Sequence, residues 1–496
     1  MKFFAWSLDR GLWPYTDILT YNLPMTVYIN WVALKLFGEN SFSFRLLDVT
    51  WLIFLSGITF VYLKNKIKNI LIAVLGASLC LTLSENATNF GAFQRETMML
   101  PFWVLSLYSY DRIREGKSKI LHGLLLGFYI CFSALIKPTG FLLLIFILVA
   151  ILWEELLNKN FLLKETLIFY SFIFIGGLIV LFCSALPFLI HGTLFESVAG
   201  WFQYFKDLSL SLEIIPFTDL LKNIFSFSLS NWFIPFNEPL AEFQSNGHFS
   251  LFHLSITFFY LYLLYDKKVN VGPFLILLSG FLNYFIQAKG FAYHLFPVWF
   301  GYILLIVCIL DYLYQQLKET QQWKKILSVL TILLIGITLI SQQNRSHKFY
   351  KGTGLYTDFN QTKKELRRAE VLETLKEISV AIKNKPIKIQ VFEAYHSITL
   401  NSVMDENMRL VSKYPEAYIF YNDSPEMNKY KLDMIDSLKS EKPDIIVLNR
   451  QGTFKVKKDL FETFPDLALF LKNYALIKEI REINNVMYSI YVLNSN

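Results

Sequence analysis

Cysteine is scarce in this sequence, with four residues in a chain of 496. Cys80, Cys131, Cys183 and Cys308 each lie alone inside an apolar stretch. Scattered cysteines in such surroundings act as small hydrophobic side chains rather than as disulfide partners or metal ligands. We therefore predict no disulfide and no zinc site. Residues 1–23 also lack a basic segment followed by an apolar core, so no signal peptide is predicted.

Charged residues are also infrequent. They make up 18% of the chain, whereas 54% of the residues are hydrophobic and 17% are aromatic. A helix needs about 20 apolar residues to cross a bilayer, and in lipid a helix satisfies its own backbone hydrogen bonds. These features predict an α-helical polytopic membrane protein with about ten transmembrane helices. The predicted spans are 46–63, 69–84, 97–110, 120–136, 139–155, 166–190, 248–265, 272–286, 291–316 and 326–341.

Basic residues are concentrated in every second loop between these spans. The basic loops contain Lys64, Lys66 and Lys68, then Arg112, Arg114, Lys117 and Lys119, then Lys159 and Lys164, then Lys267 and Lys268, and finally Lys318, Lys324 and Lys325. Because basic loops face the cytoplasm, the other loops and both termini are expected to lie outside. The net charge of +7 comes mainly from the cytoplasmic loops and implies no nucleic-acid partner.

The chain divides into three predicted regions. Residues 1–44 carry several charges and form an outer-face entry loop, with an interfacial helix from Pro24 to Phe37 that Trp31 anchors. Residues 45–341 hold the spans, and their long outer loop, 191–247, is rich in Phe and Trp, which predicts short interfacial helices. Residues 342–496 are more highly charged and have shorter periodicity, so we predict an extracytoplasmic α/β domain of normal size there.

The C-terminal region alternates between helical and strand-like patterns. Apolar residues at helical spacing predict a helix over 361–383, and further helices are predicted near 427–440 and 457–472. Strands are predicted at 387–392, 418–421, 445–448 and 488–493. This region has no Gly-rich phosphate loop, no paired metal ligands and no nucleophile elbow. A docking or lid domain is the simplest interpretation of it.

The predicted outer loops carry a series of motifs. In chain order they are Gly11-Leu12-Trp13-Pro14-Tyr15-Thr16-Asp17, Asn22-Leu23-Pro24, Leu36-Phe37-Gly38, Arg45-Leu46, Asn89 to Glu96 with its Gln-Arg-Glu, Ile136-Lys137-Pro138, and Gln287-Ala288-Lys289-Gly290-Phe291-Ala292-Tyr293-His294-Leu295-Phe296-Pro297. Together these motifs resemble those of GT-C glycosyltransferases, especially the protein O-mannosyltransferase and aminoarabinose-transferase branch. The resemblance covers residues 1–341. Each motif alone is common, and their order together with the topology makes the resemblance informative.

The resemblance implies an inverting glycosyltransferase of the cytoplasmic membrane. Such an enzyme takes a sugar from a polyprenyl-phosphate donor and passes it to a lipid, glycan or protein acceptor at the outer face. Membrane lipids are its other partners. No cofactor is certain, and a divalent metal ion is left open. The chemistry needs a carboxylate to act as base on the acceptor hydroxyl and donors that stabilise the departing phosphate.

The candidate catalytic carboxylates are Asp17 and Glu96. Asp17 has an alternative role in capping the turn after Pro14-Tyr15, and Glu96 an alternative role as a solvated loop charge. The candidate substrate-binding residues are Arg45, Glu85, Gln94, Lys137, Gln287, Lys289, Tyr293 and His294. For Arg45 and Lys137 the alternative is snorkelling to the interface, and for the box around His294 it is a satisfied interface position beside Tyr293.

Two other hypotheses stay open at this point. The first is a transporter or polysaccharide-export component without chemistry. Transporters usually carry internal repeats and charges near the membrane midplane. This sequence shows no repeat, and its polar residues cluster at the ends of the spans. The second is an inactive or N-terminally truncated GT-C chain, because the family has one more helix before the entry loop, followed by its leading catalytic Asp. A Lys that the family carries before the Pro pair is replaced here by Asn22.

Overall fold

The computed structural model describes most of the chain. The described residues are 2–39, 41–81, 94–157, 163–211, 251–288, 292–318, 363–382, 387–392, 406–415, 425–449, 460–482 and 485–494, with isolated positions elsewhere. The predicted span 326–341 and the predicted strand 418–421 fall largely outside them. Within the described residues, helices dominate up to residue 316, and a mixed sheet with helices follows.

The helical part contains twelve α-helices in the described residues. They are α1 (Lys2–Asp9), α2 (Pro24–Phe37), α3 (Ser41–Lys64), α4 (Ile70–Leu81), α5 (Arg95–Arg114), α6 (Lys119–Ile136), α7 (Leu142–Leu157), α8 (Leu163–His191), α9 (Leu194–Ser211), α10 (Leu251–Tyr265), α11 (Gly272–Gln287) and α12 (Phe296–Gln316). Short 3-10 helices, Pro138–Phe141 and Ala292–Leu295, precede α7 and α12. Each of the first nine predicted spans therefore coincides with a helix.

Four helical segments are long and apolar enough to cross a membrane, among the residues described. They are Leu46–Lys64, Lys119–Ile136, Leu167–His191 and Tyr293–Gln316. Ile70–Leu81, Pro138–Glu154, His253–Tyr265 and Gly272–Gln287 are apolar but shorter. Helix α5 differs from both groups because it is more polar and is buried by its neighbours along most of its length. The chain is a multi-pass membrane protein, and the count of ten spans remains a prediction.

Glycines allow two pairs of helices to pack in backbone contact. A Cβ on Gly127 of α6 would lie 1.8 Å from the carbonyl oxygen of Ile173 in α8, and one on Gly176 would lie 2.0 Å from that of Leu124. Gly280 of α11 makes a similarly close approach to the start of α12. Small residues at such crossings let helices approach closely in membranes, where van der Waals packing drives association.

Gly127→Ala is therefore expected to destabilise the protein. The added methyl group has no space, and overpacking of this kind typically costs about 1–3 kcal/mol. The thermal midpoint in detergent, followed by size-exclusion chromatography after heating, should fall. Gly57→Ala in α3 is the matched control, because nothing lies within 4 Å of its added Cβ. Equal midpoints for the two variants would contradict the close packing of α6 against α8.

The basic loops gather at one end of the helix bundle. The ammonium group of Lys66 lies 3.1 Å from a carboxylate oxygen of Asp111 and 3.1 Å from one of Glu115. The amide of Asn270 donates to Asp111 as well, at 2.9 Å. The loops after α3, α5 and α10 therefore meet at this end, as the alternation of basic loops along the sequence requires.

The C-terminal part forms a five-stranded mixed sheet in the order β2-β1-β3-β5-β4. Its elements are α13 (Lys363–Ala381), β1 (Lys388–Phe392), β2 (Arg409–Leu410), α14 (Pro425–Glu441), β3 (Ile445–Asn449), α15 (Leu460–Thr463), α16 (Pro465–Phe470), β4 (Tyr474–Glu482) and β5 (Asn485–Leu493). Strands β1, β2 and β3 are parallel, and β5 runs antiparallel to both β3 and β4.

Helices cover both faces of this sheet. Alternate residues of β3 face opposite sides, so Ile446 and Leu448 join a core with α14 and α16, whereas Ile445 and Val447 join a core with α13. Burial on both faces explains the continuous apolar run of this strand. Helix α1 also packs into the second core, through Phe3, Phe4 and Trp6. The entry segment and the C-terminal part therefore lie at the same end of the bundle.

Two features of the C-terminal part differ from the sequence-based expectation. The predicted helix 457–472 is divided into α15 and α16 at Pro465, whose ring cannot continue a helix interior. Strand β4 was not predicted, because it lies at the edge of the sheet and carries charged residues there, which interrupt the apolar pattern of a strand. In the entry segment, Trp31 of α2 donates from Nε1 to Asp9 at 3.1 Å and so ties α2 to α1, and its role as a membrane anchor stays a prediction.

Candidate functional site

Four of the predicted site residues meet at the end of the bundle opposite the basic loops. Glu96 lies in the first turn of α5, Lys137 caps the C-terminus of α6, and Gln287 is the last residue of α11. His294 lies in the 3-10 helix that precedes α12. Helix α5 starts at the end of the bundle where α6 and α11 finish. Glu96, Lys137 and Gln287 therefore lie close together although they are far apart in sequence.

Local backbone structure fixes Lys137 in place. Pro138 starts the 3-10 helix directly after it, and the amide of Gly140 donates to the Lys137 carbonyl at 2.8 Å. The indole of Trp103 in α5 then donates to the Gly140 carbonyl at 2.9 Å. The Lys-Pro motif is thus a tight connection between α6 and α7, and the lysine side chain is buried between the helices at this end of the bundle.

The Glu96 carboxylate is the centre of the cluster. The side chain is fully buried, at 0% exposure. Its Oε1 atom pairs with the ammonium group of Lys137 and lies 3.4 Å from Nε2 of His294. Lys137 also donates to Oε1 of Gln287. A buried charge is costly unless it is paired, so this pairing accounts for a carboxylate and an ammonium group at the membrane end of the bundle.

Asn283 is a site residue that the sequence analysis did not identify. This buried side chain lies one helical turn before Gln287 and accepts a hydrogen bond from the Gln287 amide at 2.9 Å. Its own amide donates to the His294 carbonyl at 2.9 Å. Asn283 therefore orients the Gln287 side-chain oxygen toward Lys137 and ties α11 to the segment that carries His294. The i, i+4 spacing to Gln287 was the only available signal for it.

The second oxygen of Glu96 is not used by the described part of the chain. Oε2 is buried and accepts no hydrogen bond there, which leaves one carboxylate lone-pair direction open for a ligand. A divalent metal fits this cluster poorly, since the nearest group to the carboxylate is an ammonium cation. No group of three or more His, Cys, Asp or Glu among the described residues could hold a metal ion.

The entry segment lies beside this cluster. The hydroxyl of Thr26 in α2 donates to the Ile136 carbonyl at 2.9 Å, directly before Lys137. The guanidinium of Arg95 stacks over the ring of Tyr21 at 5.0 Å from its centroid. Tyr15 donates to the Asn22 carbonyl at 2.6 Å. The Pro-Tyr and Asn-Leu-Pro motifs therefore fold against the same bundle end as Glu96 and Lys137.

The other predicted residues have more peripheral positions. Asp17 is exposed and accepts the Trp13 amide at 2.8 Å, which is the turn-capping role. Gln94 is the N-cap residue of α5 without a side-chain capping bond, and the Tyr293 ring packs edge-on against His294 at 4.5 Å. The side chain of Arg45, in the first turns of α3, and the whole of Glu85 and Lys289 lie outside the described residues.

Comparison with known families matched one segment of the chain. Residues 22–191 match the family described as dolichyl-phosphate-mannose-protein mannosyltransferase. This segment contains the entry helix α2 and both members of the Glu96–Lys137 pair. No curated protein sequence matches the chain.

Solved structures match over nearly the whole chain. The crystal structure of ArnT from Cupriavidus metallidurans in the apo state matches with a TM-score of 0.52 and 11% identity, covering 99% of this chain and 91% of that one. The same protein bound to undecaprenyl phosphate has a TM-score of 0.47. The apo oligosaccharyltransferase of Archaeoglobus fulgidus also has a TM-score of 0.47, with 12% identity and coverage of 98% of this chain and 69% of that one. The first of these matches shows that the chain shares the ArnT fold.

Proposed function

We propose that the chain is a GT-C membrane glycosyltransferase, which transfers a sugar from a polyprenyl-phosphate donor to an acceptor at the membrane surface. The match of residues 22–191 to a mannosyltransferase family and the fold shared with ArnT support this proposal. One observation carries the proposal most directly. A buried carboxylate with one open oxygen, Glu96, lies beside an ammonium group and a His side chain at one end of the bundle. Glycosyl transfer from a phosphate leaving group needs both kinds of group within one site.

Lys137 and His294 form the phosphate-binding side of the proposed site. An ammonium group is a compact cation that suits a phosphate oxygen, and Gln287 holds Lys137 from the side of α11. As the bond between the anomeric carbon and the phosphate oxygen breaks, negative charge grows on that oxygen. The Lys137 ammonium group and the His294 ring both contact Oε1 of Glu96, so both are in position to stabilise this charge.

Glu96 is the proposed base. In the ligand-free arrangement its Oε1 neutralises Lys137. When the donor phosphate binds, the Lys137 ammonium group pairs with it in place of Glu96. The Glu96 carboxylate then has no counter-ion and can accept the proton of the acceptor hydroxyl. The hydroxyl oxygen then attacks the anomeric carbon, and the proton moves to Glu96 as the phosphate leaves. Donor binding therefore activates the base, and an empty site holds the carboxylate inactive.

The direct test of this function is transfer of a radiolabelled sugar from polyprenyl-phosphate donors in membranes that contain the chain. Label is expected in a lipid, glycan or protein fraction, and the fraction that gains label identifies the acceptor class. Binding of polyprenyl phosphate to the purified protein is measured separately. Binding without transfer from any donor tried would favour a carrier-binding protein without chemistry, which is the transporter or export alternative.

The proposed outer location of the site leads to a topology prediction. The entry segment, the Glu96 cluster and the C-terminal sheet lie at one end, so all three are expected to be extracytoplasmic. Lys439 of α14 is exposed and so suits chemical labelling. In a cysteine-free background, Lys439→Cys should react with an impermeant maleimide in spheroplasts with intact cytoplasmic membranes. Reaction only after lysis would reverse the orientation.

A further inference from the structure

Helix α9 directly follows the long apolar helix α8. Helix α8 ends in a Schellman motif, in which Gly192 takes a left-handed φ of 78° and the amide of Thr193 donates to the Phe188 carbonyl at 3.0 Å. The turn lets the chain leave the direction of α8 within two residues. Helix α9 then begins at Leu194, so it starts where a membrane-crossing segment stops.

The surface of α9 has three distinct faces. Successive residues on an α-helix are about 100° apart, so Phe195, Val198, Phe202 and Phe205 share one face. All four are exposed, Phe195 to 86% and Phe202 to 62%. Exposed polar side chains, including Glu196 and Gln203, occupy the neighbouring face. A helix with an apolar and a polar face both exposed has the form of a helix that lies in the membrane interface.

The third face of α9 packs against the protein. Its Asp207 is buried, accepts the hydroxyl of Tyr430 at 2.6 Å and pairs with the ammonium group of Lys429 at 2.5 Å. The indole of Trp201 donates to the Tyr21 carbonyl at 3.3 Å. Helix α9 thus contacts both the C-terminal part, through α14, and the entry segment beside the Glu96 cluster.

The apolar face of α9 begins directly after an exposed apolar stretch at the end of α8. Leu186, Leu189 and Ile190 are exposed just before the turn, and Phe195 is exposed just after it. The first three belong to the apolar segment Leu167–His191, which is long enough to cross the bilayer, so they face lipid. Helix α9 starts three residues after this segment ends, so its apolar face begins where α8 leaves the lipid.

We propose that α9 is a membrane-docking helix whose face of Phe195, Val198, Phe202 and Phe205 inserts into the outer boundary of the lipid acyl chains. The opposite face of the helix holds the entry segment and the C-terminal part at a fixed height above the bilayer. The occupant of the apolar face is the phospholipid bilayer itself. This proposal concerns membrane contact and does not depend on the proposed glycosyl transfer.

Photocrosslinking tests the proposal without replacing any native cysteine. A diazirine-bearing amino acid is placed at position 195 or at position 196 of the full chain, which is then assembled into nanodiscs of phosphatidylethanolamine and phosphatidylglycerol. The two positions lie at the same level of the helix but on different faces. After irradiation, mass spectrometry should find several-fold more phospholipid adduct at position 195 than at 196.

A second pair, positions 202 and 203, repeats the comparison about two turns later. It protects the test against a variant that does not fold. Only variants that elute as a single peak in size-exclusion chromatography are compared. Equal lipid adducts at the apolar and polar positions would overturn the proposal. Crosslinks from 195 and 202 to another segment of the chain, or to a second copy, in place of lipid would overturn it as well.

Discussion

Lys137→Met is expected to destabilise the protein by about 3–5 kcal/mol, which is the usual cost of removing one partner of a buried ion pair. The variant leaves the Glu96 carboxylate buried without its ammonium partner, in a site that excludes water. The thermal midpoint in detergent should therefore fall far more than for Lys117→Met, in which an exposed lysine of a basic loop is changed in the same way. The measurement is thermal unfolding followed by size-exclusion chromatography.

The double variant Lys137→Met with Glu96→Gln separates charge pairing from function. It removes both charges, so much of the lost stability should return, since a neutral pair needs no buried counter-ion. Binding of polyprenyl phosphate should remain weak, because the ammonium group is still absent. A double variant as unstable as Lys137→Met alone would show that the loss came from packing around the lysine stem and not from an uncompensated carboxylate.

Glu96→Gln is expected to slow sugar transfer by about 10²–10⁴-fold, the usual contribution of a general base. Glutamine keeps the size of the side chain but accepts no proton at the pH of the reaction. Donor binding should be largely retained, because Lys137, Gln287 and His294 remain. Transfer rates are divided by the amount of protein that elutes as folded, since this substitution also removes the counter-charge of Lys137.

Asp17→Asn provides the comparison for the same assay. Asp17 is exposed and accepts the Trp13 amide, a hydrogen bond that the asparagine oxygen can also accept. A small change in rate is therefore expected. A loss as large as that of Glu96→Gln would identify Asp17 as the catalytic carboxylate, whereas full activity of Glu96→Gln would remove Glu96 from the role of base.

Most helices of the membrane part could be predicted from the residue pattern alone. The apolar runs located nine described helices to within a few residues, because lipid requires each span to satisfy its own backbone. The resemblance to GT-C glycosyltransferases is confirmed by the fold and by the family match to residues 22–191. The C-terminal strands β1, β3 and β5 also coincide with predicted runs, since apolar strands buried on one or both faces carry a strong signal.

The candidate site could be predicted from the sequence only in part. The sequence pointed to Glu96, Lys137, Gln287 and His294 because each lies at a helix end on the same predicted side. It did not indicate that one carboxylate oxygen would face both a lysine and a histidine, since those residues are separated by 41 to 198 positions along the chain. Asn283 was not identified because a single amide within an apolar helix carries no pattern of its own.

The sequence by itself determined which segments form apolar helices and which loops carry the polar motifs, because both depend on local composition. Only the tertiary structure decided how those loops meet. It placed α1 over one face of the C-terminal sheet, joined α9 to α14 through Asp207 and Tyr430, and paired Glu96 with Lys137. These are contacts between distant segments, and their energy depends on burial and distance, which residue order does not specify.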